Sequence, residues 1–389
     1  MRCLALLGLL STIVAGSPAA GRDGLAPLLH PRGDIVPNSY IVMLKERASA
    51  SSFDGVLSAL SVHRDHVYQH AIKGFAAKLD AATVTELRKH PDVDFIEHDA
   101  IVKVNGYVVQ KNAPWNLARI SHRKRGSTEY VSSDTAGAGT CSYIIDTGVD
   151  ATHPLFGGRA SQIKTFVGGA NTDGNGHGTH LAGIIGANTY GVARKTKILG
   201  VKALDDSGSG PYSVIIAAMD FVAKDYKTRG CPRGAMCNMS IGGSYSAAVN
   251  KAAASLVSSG VFTSVAAGGS NMDLKGTSPA SEPTVCTVGA SNENDERASN
   301  SNYGPGLDIF APGANIISTW LGGKTATLSG SSMSAAHITG IGAYIASLEG
   351  FPGAQQLCKR LQDLATKNVL KNVPSGTPNL LAFNGNPTG

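Results

Sequence analysis

Residues 142–149 read S-Y-I-I-D-T-G-V, an apolar run that ends in an aspartate and a Thr-Gly turn. A short apolar run bounded by turn residues predicts a buried β-strand. Similar β-rich runs follow it, with stretches of helical spacing between some of them. The runs lie at 197–203, 235–241, 261–267 and 284–290, and the helical stretches include 212–227 and 247–258. Strands that alternate with helices predict an α/β fold, with a mostly parallel sheet covered by helices on both faces.

Three strings in this part of the chain carry an acid, a base and a hydroxyl. Asp146 closes the first strand, His177 lies in D-G-N-G-H-G-T-H, and Ser332 in S-G-S-S-M-S-A-A-H precedes a predicted helix of small residues. Each residue alone has an ordinary structural explanation, as a turn aspartate, a histidine between glycines or a helix cap. Together they are the groups that acyl transfer through a covalent intermediate requires. Sites of such sheets collect at the carboxyl ends of strands, where Asp146 and Gly268 are expected.

The composition is that of an ordered extracellular protein. Of its 389 residues, 42% are apolar and only 16% are charged, and the 47 glycines exceed the usual share of about 7%. The chain is long enough for a large core and for two or three domains. The net charge of +6 is modest and scattered, which gives no reason to expect nucleic acid as a partner.

The N-terminus predicts a secretory signal peptide over residues 1–20. Arg2 precedes an apolar run at 4–15, which is shorter than the roughly 20 residues that span a bilayer. No later stretch is long and apolar enough for a membrane helix, so we expect a secreted, soluble monomer with no membrane partner. Five cysteines remain once the signal is removed, and in an oxidising compartment they suggest two disulfides and one unpaired thiol.

Residues 34–104 are predicted to form a separate small unit. The predicted strands are 39–45, 73–79 and 93–104, and the predicted helices are 51–66 and 82–90. The order is β-α-β-α-β, and a fourth strand near Tyr68 would complete the pattern. The unit is therefore expected to be a small α+β domain of the ferredoxin-like, split βαβ type.

From 112 to 384 the sequence resembles the subtilases, and most closely the proteinase K branch of fungal serine proteases. The resemblance rests on the three strings above and on others such as N-A-P-W-N-L-A-R-I, L-D-D-S-G-S-G-P-Y-S and S-N-Y-G-P-G-L-D-I-F-A-P-G. Residues 34–104 resemble the inhibitor-type propeptide of the same enzymes. The resemblance implies a subtilisin-like peptidase domain over 108–389 and a secreted serine endopeptidase made as a zymogen.

The resemblance also implies a role for each member of the triad. Ser332 would attack the scissile carbonyl, His177 would take its proton and pass it to the leaving amine, and Asp146 would hold the imidazole in the required tautomer. His180, in the same string as His177, would be structural.

An extended polypeptide substrate would bind as an added strand between two segments. The segments are Gly208, Ser209 and Gly210 on one side, and Ser240, Ile241, Gly242 and Gly243 on the other. The pocket for the side chain before the cut would be walled by Ala266, Ala267 and Gly268 together with Ser240 and Ile241. These strings contain no acidic residue, which predicts a preference for apolar or aromatic residues and no strict sequence requirement.

Matching N-A-P-W to the family places the start of the mature enzyme near Val108. The activating cut would then follow Tyr107, which suits an apolar pocket. We expect the enzyme to make this cut itself, and its own propeptide to act as an intramolecular inhibitor and folding aid.

Disulfides and one structural calcium ion are implied by the same resemblance. The expected pairs are Cys141–Cys231 and Cys286–Cys358, with Cys237 free in a core strand. The calcium ligands would be the carboxylate of Asp308 and the carbonyls of Pro283 and Val285, since oxygen ligands suit a hard cation. A second family site is not expected, because Val369 stands where an aspartate is needed. No organic cofactor is expected.

One departure from the family bears directly on activity. The family places an asparagine after the A-A-G string, where its amide donates to the developing oxyanion, but Gly269 stands here. Losing one such donor lowers turnover by about 10²–10³-fold. Asn271 would need a loop rearrangement to substitute. Ser331 and Ala336 also depart from the family string around Ser332, and both changes are tolerable.

Two classes of function therefore stay open. In the first, the protein is a working endopeptidase whose oxyanion is held by the Ser332 backbone N–H and a water or neighbouring donor. In the second, it is a pseudoprotease that binds extended peptide without turning it over. The intact triad favours the first, and a carboxyl esterase is a distant third. Asn238 fits the N-glycosylation pattern, but its place in a predicted core strand favours an unmodified side chain.

Overall fold

A computed structural model describes residues 24–31, 35–48, 54, 57–58, 60–101 and 106–389. The chain divides into two compact units, Met1–Val104 and Asn105–Gly389. The predicted signal peptide lies outside the described residues. Within them, no helix combines the length and the apolar character that crossing a membrane requires.

The described part of the N-terminal unit contains a mostly antiparallel sheet. Its elements are β1 (Leu28–Leu29), β2 (Ile35–Leu44), β3 (Arg64–Tyr68), β4 (Gly74–Lys78), α1 (Ala81–Leu87) and β5 (Val93–Ala100). The strand order is β1-β5-β2-β4-β3, and only β1 and β5 pair in parallel. Val42, Phe75, Leu87 and Ile96 pack together in its buried core. This arrangement confirms the predicted α+β, ferredoxin-like class.

One predicted helix of this unit needs a correction. The helix expected over 51–66 falls partly outside the described residues, and from Arg64 onward the chain is strand β3, which pairs with β4. The strand lies at the edge of the sheet, where polar and charged side chains are usual, so it lacks an apolar alternation that would have marked it. The strand expected near Tyr68 is this same β3.

The C-terminal unit is longer and contains the predicted alternation of strands and helices. Its strands are β6 (Tyr107–Gln110), β7 (Tyr130–Ser133), β8 (Cys141–Asp146), β9 (Ala160–Thr165), β10 (Lys197–Lys202), β11 (Ala235–Met239), β12 (Gly243–Ser244), β13 (Val261–Ala266), β14 (Thr277–Ser278), β15 (Cys286–Ser291), β16 (Ile309–Pro312), β17 (Ile316–Trp320), β18 (Lys324–Leu328), β19 (Thr366–Lys367) and β20 (Leu380–Leu381). Its α-helices are α2 (Trp115–Ser121), α3 (His177–Gly186), α4 (Tyr212–Asp225), α5 (Ala247–Ser258), α6 (Ser331–Glu349) and α7 (Ala354–Leu364). Three 3₁₀ turns lie at Pro154–Phe156, Leu274–Gly276 and Leu321–Gly323.

Nine of these strands form the central sheet, in the order β19-β20-β16-β15-β13-β11-β8-β10-β9. Every neighbouring pair is parallel except β19 and β20. Strands β8, β13 and β15 are buried at every residue, which requires both faces of the sheet to be covered. The predicted α/β class is therefore confirmed. Helix α6 is buried along most of its length and packs against β13, β15 and α3.

Two disulfides link distant parts of this unit. Cys141 is bonded to Cys231 and Cys286 to Cys358, the pairs that the resemblance implies. Cys237 is a buried free thiol in β11, and burial raises its pKa. Because the thiolate is the reactive form, this burial disfavours reaction of the Cys237 thiol in the folded protein.

Candidate active site

Asp146 is the last residue of β8 and is fully buried at the carboxyl edge of the central sheet. Its Oδ1 accepts two hydrogen bonds of 2.8 Å, from the backbone N–H of Thr147 and from Nδ1 of His177. Its Oδ2 has no hydrogen-bond partner among the described residues. The carboxylate therefore faces the imidazole with one oxygen and fixes the ring tautomer that carries a proton on Nδ1.

Two glycines allow the helix that carries His177 to begin against the turn after Asp146. Gly176 has a left-handed φ of 107°, a conformation that favours glycine. A Cβ on Gly178 would lie 2.0 Å from the carbonyl oxygen of Gly148, so any side chain there would push the two backbones apart. The G-H-G string therefore provides the close backbone approach that brings the ring to the carboxylate.

Asp173 anchors the same junction and was not singled out from the sequence patterns. Its buried carboxylate accepts bonds from the hydroxyls of Thr147 and Thr179, at 2.9 and 2.6 Å. It also accepts from the backbone N–H groups of Asn175, Gly176 and Thr179. A carboxylate just before a helix is a recognisable N-terminal signal. Its position four residues before His177 could have identified it.

The pKa of His177 is set by opposing effects. Burial alone lowers the pKa of this imidazole, but the charge and hydrogen bond of Asp146 and the charge of Asp173 outweigh burial. The resulting pKa lies above the usual 6.5. The imidazole is therefore a stronger base than an ordinary histidine and is stabilised once it carries a proton.

His180 lies one helical turn further along α3 and is fully buried. Its Nε2 lies 3.0 Å from the carbonyl oxygen of Ile316 and 3.1 Å from that of Ala326, and burial lowers its pKa to about 4. The ring thus ties α3 to two neighbouring segments as a neutral group.

Ser332 is the second residue of α6, which packs against α3. Its hydroxyl donates to the carbonyl oxygen of Ser240 at 3.4 Å, and within the described chain it makes no hydrogen bond to His177. The structure thus joins Asp146 and His177 directly and leaves Ser332 in the adjoining cavity wall. Hydrogen bonds of catalytic groups are often long or misaligned before substrate binds.

A buried polar network holds the start of α6 in place. The hydroxyl of Ser240 donates to the carbonyl oxygen of Ser332 at 2.8 Å and accepts from the amide of Asn238 at 3.0 Å. The hydroxyl of Thr339 donates to the other end of that amide at 3.1 Å. Asn238 has no exposed surface, which favours an unmodified side chain over a glycosylated one.

The two segments expected to bind substrate face each other across a cavity of about 640 Å³. It is lined by all of the predicted groove residues, Gly208, Ser209, Gly210, Ser240, Ile241, Gly242 and Gly243, and also by His177. Apolar side chains of Leu204, Ile215 and Val249 complete part of its wall.

The predicted pocket for the side chain before the cut is a second cavity, of about 510 Å³, which shares residues 240–243 with the first. Ala266, Ala267 and Gly268 line it as expected, and so does Ser332. None of its lining residues is charged. It can therefore accept an apolar side chain without leaving a buried charge unpaired.

Gly269 lines this second cavity and leaves open space at the position where the family has an asparagine. Beyond Gly269 itself and its two chain neighbours, a Cβ built on Gly269 meets one described atom within 4 Å, Nδ2 of Asn300 at 3.6 Å. Asn271 turns away, because its amide oxygen accepts from Arg297 at 3.0 Å. Asn271 also does not line the cavity. This agrees with the expectation that Asn271 does not take the place of the family's asparagine.

Asp308, the expected carboxylate ligand of calcium, is partly buried beside the Cys286–Cys358 disulfide. Its two oxygens accept bonds from the Thr287 N–H at 2.8 Å and from the Gln362 amide at 3.0 Å, and burial raises its pKa to about 6. No cationic side chain pairs with it in the described ranges. The sulfurs of Cys286 and Cys358 lie within 4.8 Å, but they form a disulfide and supply no thiolate. The carboxylate oxygens of Asp308 are therefore the donors that this cluster offers, and oxygen ligands suit calcium.

Comparisons with known proteins agree with this architecture. Residues 137–378 match the subtilase family, Peptidase S8, and residues 39–105 match Peptidase inhibitor I9. The chain is 55% identical to the cuticle-degrading protease of Metarhizium anisopliae over 387 residues, which cover 99% of this chain and all of that protein. It is 52% identical to Proteinase R of Parengyodontium album over 388 residues, 99% of each chain.

The crystal structure of a cold adapted subtilisin-like serine proteinase is also similar. It has 38% sequence identity and a TM-score of 0.66, and the match covers 70% of this chain and 99% of that one. Over most of its length, this chain belongs to the subtilase family of serine proteases, with a peptidase inhibitor I9 domain ahead of the subtilase domain.

Proposed function

We propose that this protein is a secreted serine endopeptidase of broad specificity that uses Asp146, His177 and Ser332 as its catalytic triad. The observation that carries the proposal is the bond between Asp146 and His177 at the wall of a groove whose neighbouring cavity contains Ser332. The relatives named above are proteases.

The chemistry follows from these groups. Ser332 Oγ attacks the scissile carbonyl carbon while its proton passes to Nε2 of His177, and Asp146 stabilises the imidazolium that forms. The carbonyl oxygen becomes an oxyanion, to which the Ser332 N–H donates because the first N–H groups of a helix have no acceptor within it. His177 then protonates the leaving amine, and water attacks the acyl group through the same base.

Specificity would come from the second cavity. Its uncharged lining and its wall of Ala266, Ala267 and Gly268 favour apolar or aromatic side chains before the cut. Substrate backbone would pair with the two groove segments as an added strand, which gives affinity without sequence preference.

The zymogen part of the proposal concerns the bond between Tyr107 and Val108. Both residues lie in β6, where Tyr107 pairs with Ser133 and Val108 with Ser132, and both side chains are about half exposed. For the protein to cut this bond itself, the start of β6 must leave that pairing and enter the groove. We propose that residues 34–104 are the propeptide, 108–389 the mature enzyme and 1–20 the signal peptide.

A structural calcium ion would be held by Asp308 and the carbonyls of Pro283 and Val285. Bound there, it would supply a cross-link that neutralises the Asp308 carboxylate next to the Cys286–Cys358 disulfide. It has no part in the chemical steps. Val369 is a partly buried apolar residue and offers no carboxylate for a second ion.

The second candidate is a pseudoprotease, and the open space at Gly269 is the observation that favours it. Incubating casein with purified mature protein separates the two. The endopeptidase proposal predicts casein fragments from the wild type and none from the Ser332→Ala variant. Intact casein with a folded wild type would instead support peptide binding without turnover.

A further inference from the structure

We propose that the side-chain amide of Asn300 supplies the oxyanion donor that Gly269 lacks. This inference rests on the proposed peptidase function and names the neighbouring donor that such a function needs. It does not alter the triad.

The amide already lies beside the space that a side chain at position 269 would fill. Apart from Gly269 itself and its two chain neighbours, Nδ2 of Asn300 is the one described atom within 4 Å of a Cβ built on Gly269, at 3.6 Å. Asn300, Gly269 and Ser332 line the same cavity. The amide of Asn300 would therefore approach the oxyanion from the same direction as the side chain of the family's asparagine.

The backbone around Asn300 is tied to the loop that contains Gly269. The N–H of Asn271 donates to the carbonyl oxygen of Asn300 at 2.9 Å, and the N–H of Asn302 donates to the carbonyl oxygen of Gly268 at 3.0 Å. The side chain of Asn302 adds bonds to Ala267 and Ser270. These contacts hold the segment around Asn300 in a fixed position relative to the loop of Gly269. This limits the motion that is needed to direct the amide of Asn300 at the oxyanion.

Asn300 is also the asparagine here whose amide is free to act. Its side chain is exposed and makes no hydrogen bond with another described residue. By contrast, Asn302 donates to Ala267 and accepts from two N–H groups, and Asn271 is turned toward Arg297. The Asn300 amide would donate a hydrogen bond to the carbonyl oxygen as the bond from Ser332 Oγ forms, with no proton transferred to that oxygen.

A double-mutant cycle tests the inference with wild type, Asn300→Ala, Gly269→Asn and the combined variant. Values of kcat and KM are measured on a peptide anilide with phenylalanine before the cut, normalised by active-site titration. Asn300→Ala should lower kcat by about 10²-fold with little change in KM. In the Gly269→Asn background, the same change should cost less than about 3-fold, because the restored asparagine supplies the donor.

Two further variants exclude a merely structural role. Ser299→Ala alters the exposed neighbour that does not line the cavity, and it should leave kcat unchanged. Asn300→Asp keeps the side-chain shape but replaces the N–H donor with a charged acceptor, and it should lower kcat at least as much as alanine.

The outcomes are distinguishable. If Asn300→Ala lowers kcat equally in the wild-type and Gly269→Asn backgrounds, or in neither, the proposed role of Asn300 is overturned. The peptidase proposal still stands in that case. An inactive wild type that Gly269→Asn activates would show that nothing fills the gap, which also overturns it. Inactivity of both proteins toward peptide and toward the titrant would remove the proposed function itself.

Discussion

Nδ1 of His177 lies 2.8 Å from Oδ1 of Asp146, whose side chain has no exposed surface. A buried anion at this distance stabilises the protonated imidazole, and it is one reason that the pKa of His177 lies above 6.5. Since the base must be neutral to accept the serine proton, the pH dependence of turnover reports this contact directly.

The first prediction concerns that pH dependence. In the wild type, kcat/KM should rise with pH through the pKa of His177, at a midpoint above 6.5. Asp146→Asn removes the buried charge, so the midpoint should move to lower pH and kcat should fall by about 10⁴-fold. The measurement is kcat/KM against pH with a chromogenic peptide. A midpoint that stays where it was in the variant would contradict the assigned cause of the shift.

The second prediction concerns a buried ion pair away from the groove. Arg119 donates to both carboxylate oxygens of Asp295, at 2.8 and 3.1 Å, and its side chain is only 4% exposed. Asp295→Ala leaves the guanidinium buried without its counter-ion, so the free energy of unfolding should fall by about 3–5 kcal/mol. Urea unfolding in the Ser332→Ala background measures this without autolysis.

An exposed pair provides the matched control. Arg360 and Glu349 form two hydrogen bonds at the surface, with both side chains more than 40% exposed. Glu349→Gln should change the free energy of unfolding by less than about 1 kcal/mol. A similar decrease in the free energy of unfolding for the two variants would show that burial of the ion pair does not decide the size of the loss.

The third prediction concerns calcium. A chelator should lower the melting temperature of the wild type, since a ligand at 100 times its Kd contributes about 2.7 kcal/mol to the folded state. Asp308→Asn should abolish the response to the chelator and to added calcium. Asp363→Asn changes an exposed carboxylate on α7 that is paired with Lys359, and it should keep the response. A chelator response that persists in Asp308→Asn would place the ion elsewhere.

The fourth prediction concerns maturation. If the protein cuts itself after Tyr107, Ser332→Ala should be secreted as the uncut precursor, which mass spectrometry identifies by its N-terminus. Tyr107→Asp should slow the cut, because a charged side chain would be buried unpaired in an uncharged pocket. Efficient processing of Ser332→Ala at the same bond in a protease-deficient host would rule out self-cleavage.

Much of this architecture could be predicted from sequence patterns because the signals are local. The run that ends at Asp146 is apolar and bounded by a turn, and the glycines around His177 indicate a close backbone approach. A strand near Tyr68 could be predicted, but the start of β3 at Arg64 could not, since an edge strand carries the polar side chains that solvent permits. The bond from Thr147 to Asp173 and the orientation of the Ser332 hydroxyl toward Ser240 depend on tertiary contacts that no single string contains.

The most direct test of the account is stoichiometric labelling with an organophosphate, which reacts only with a serine that an adjacent base activates. We predict one phosphoryl group on each mature chain, located by mass spectrometry at Ser332, and none on His177→Ala. A correctly folded wild type that takes up no label, or that carries it on another residue, would contradict the claim that Asp146, His177 and Ser332 act together.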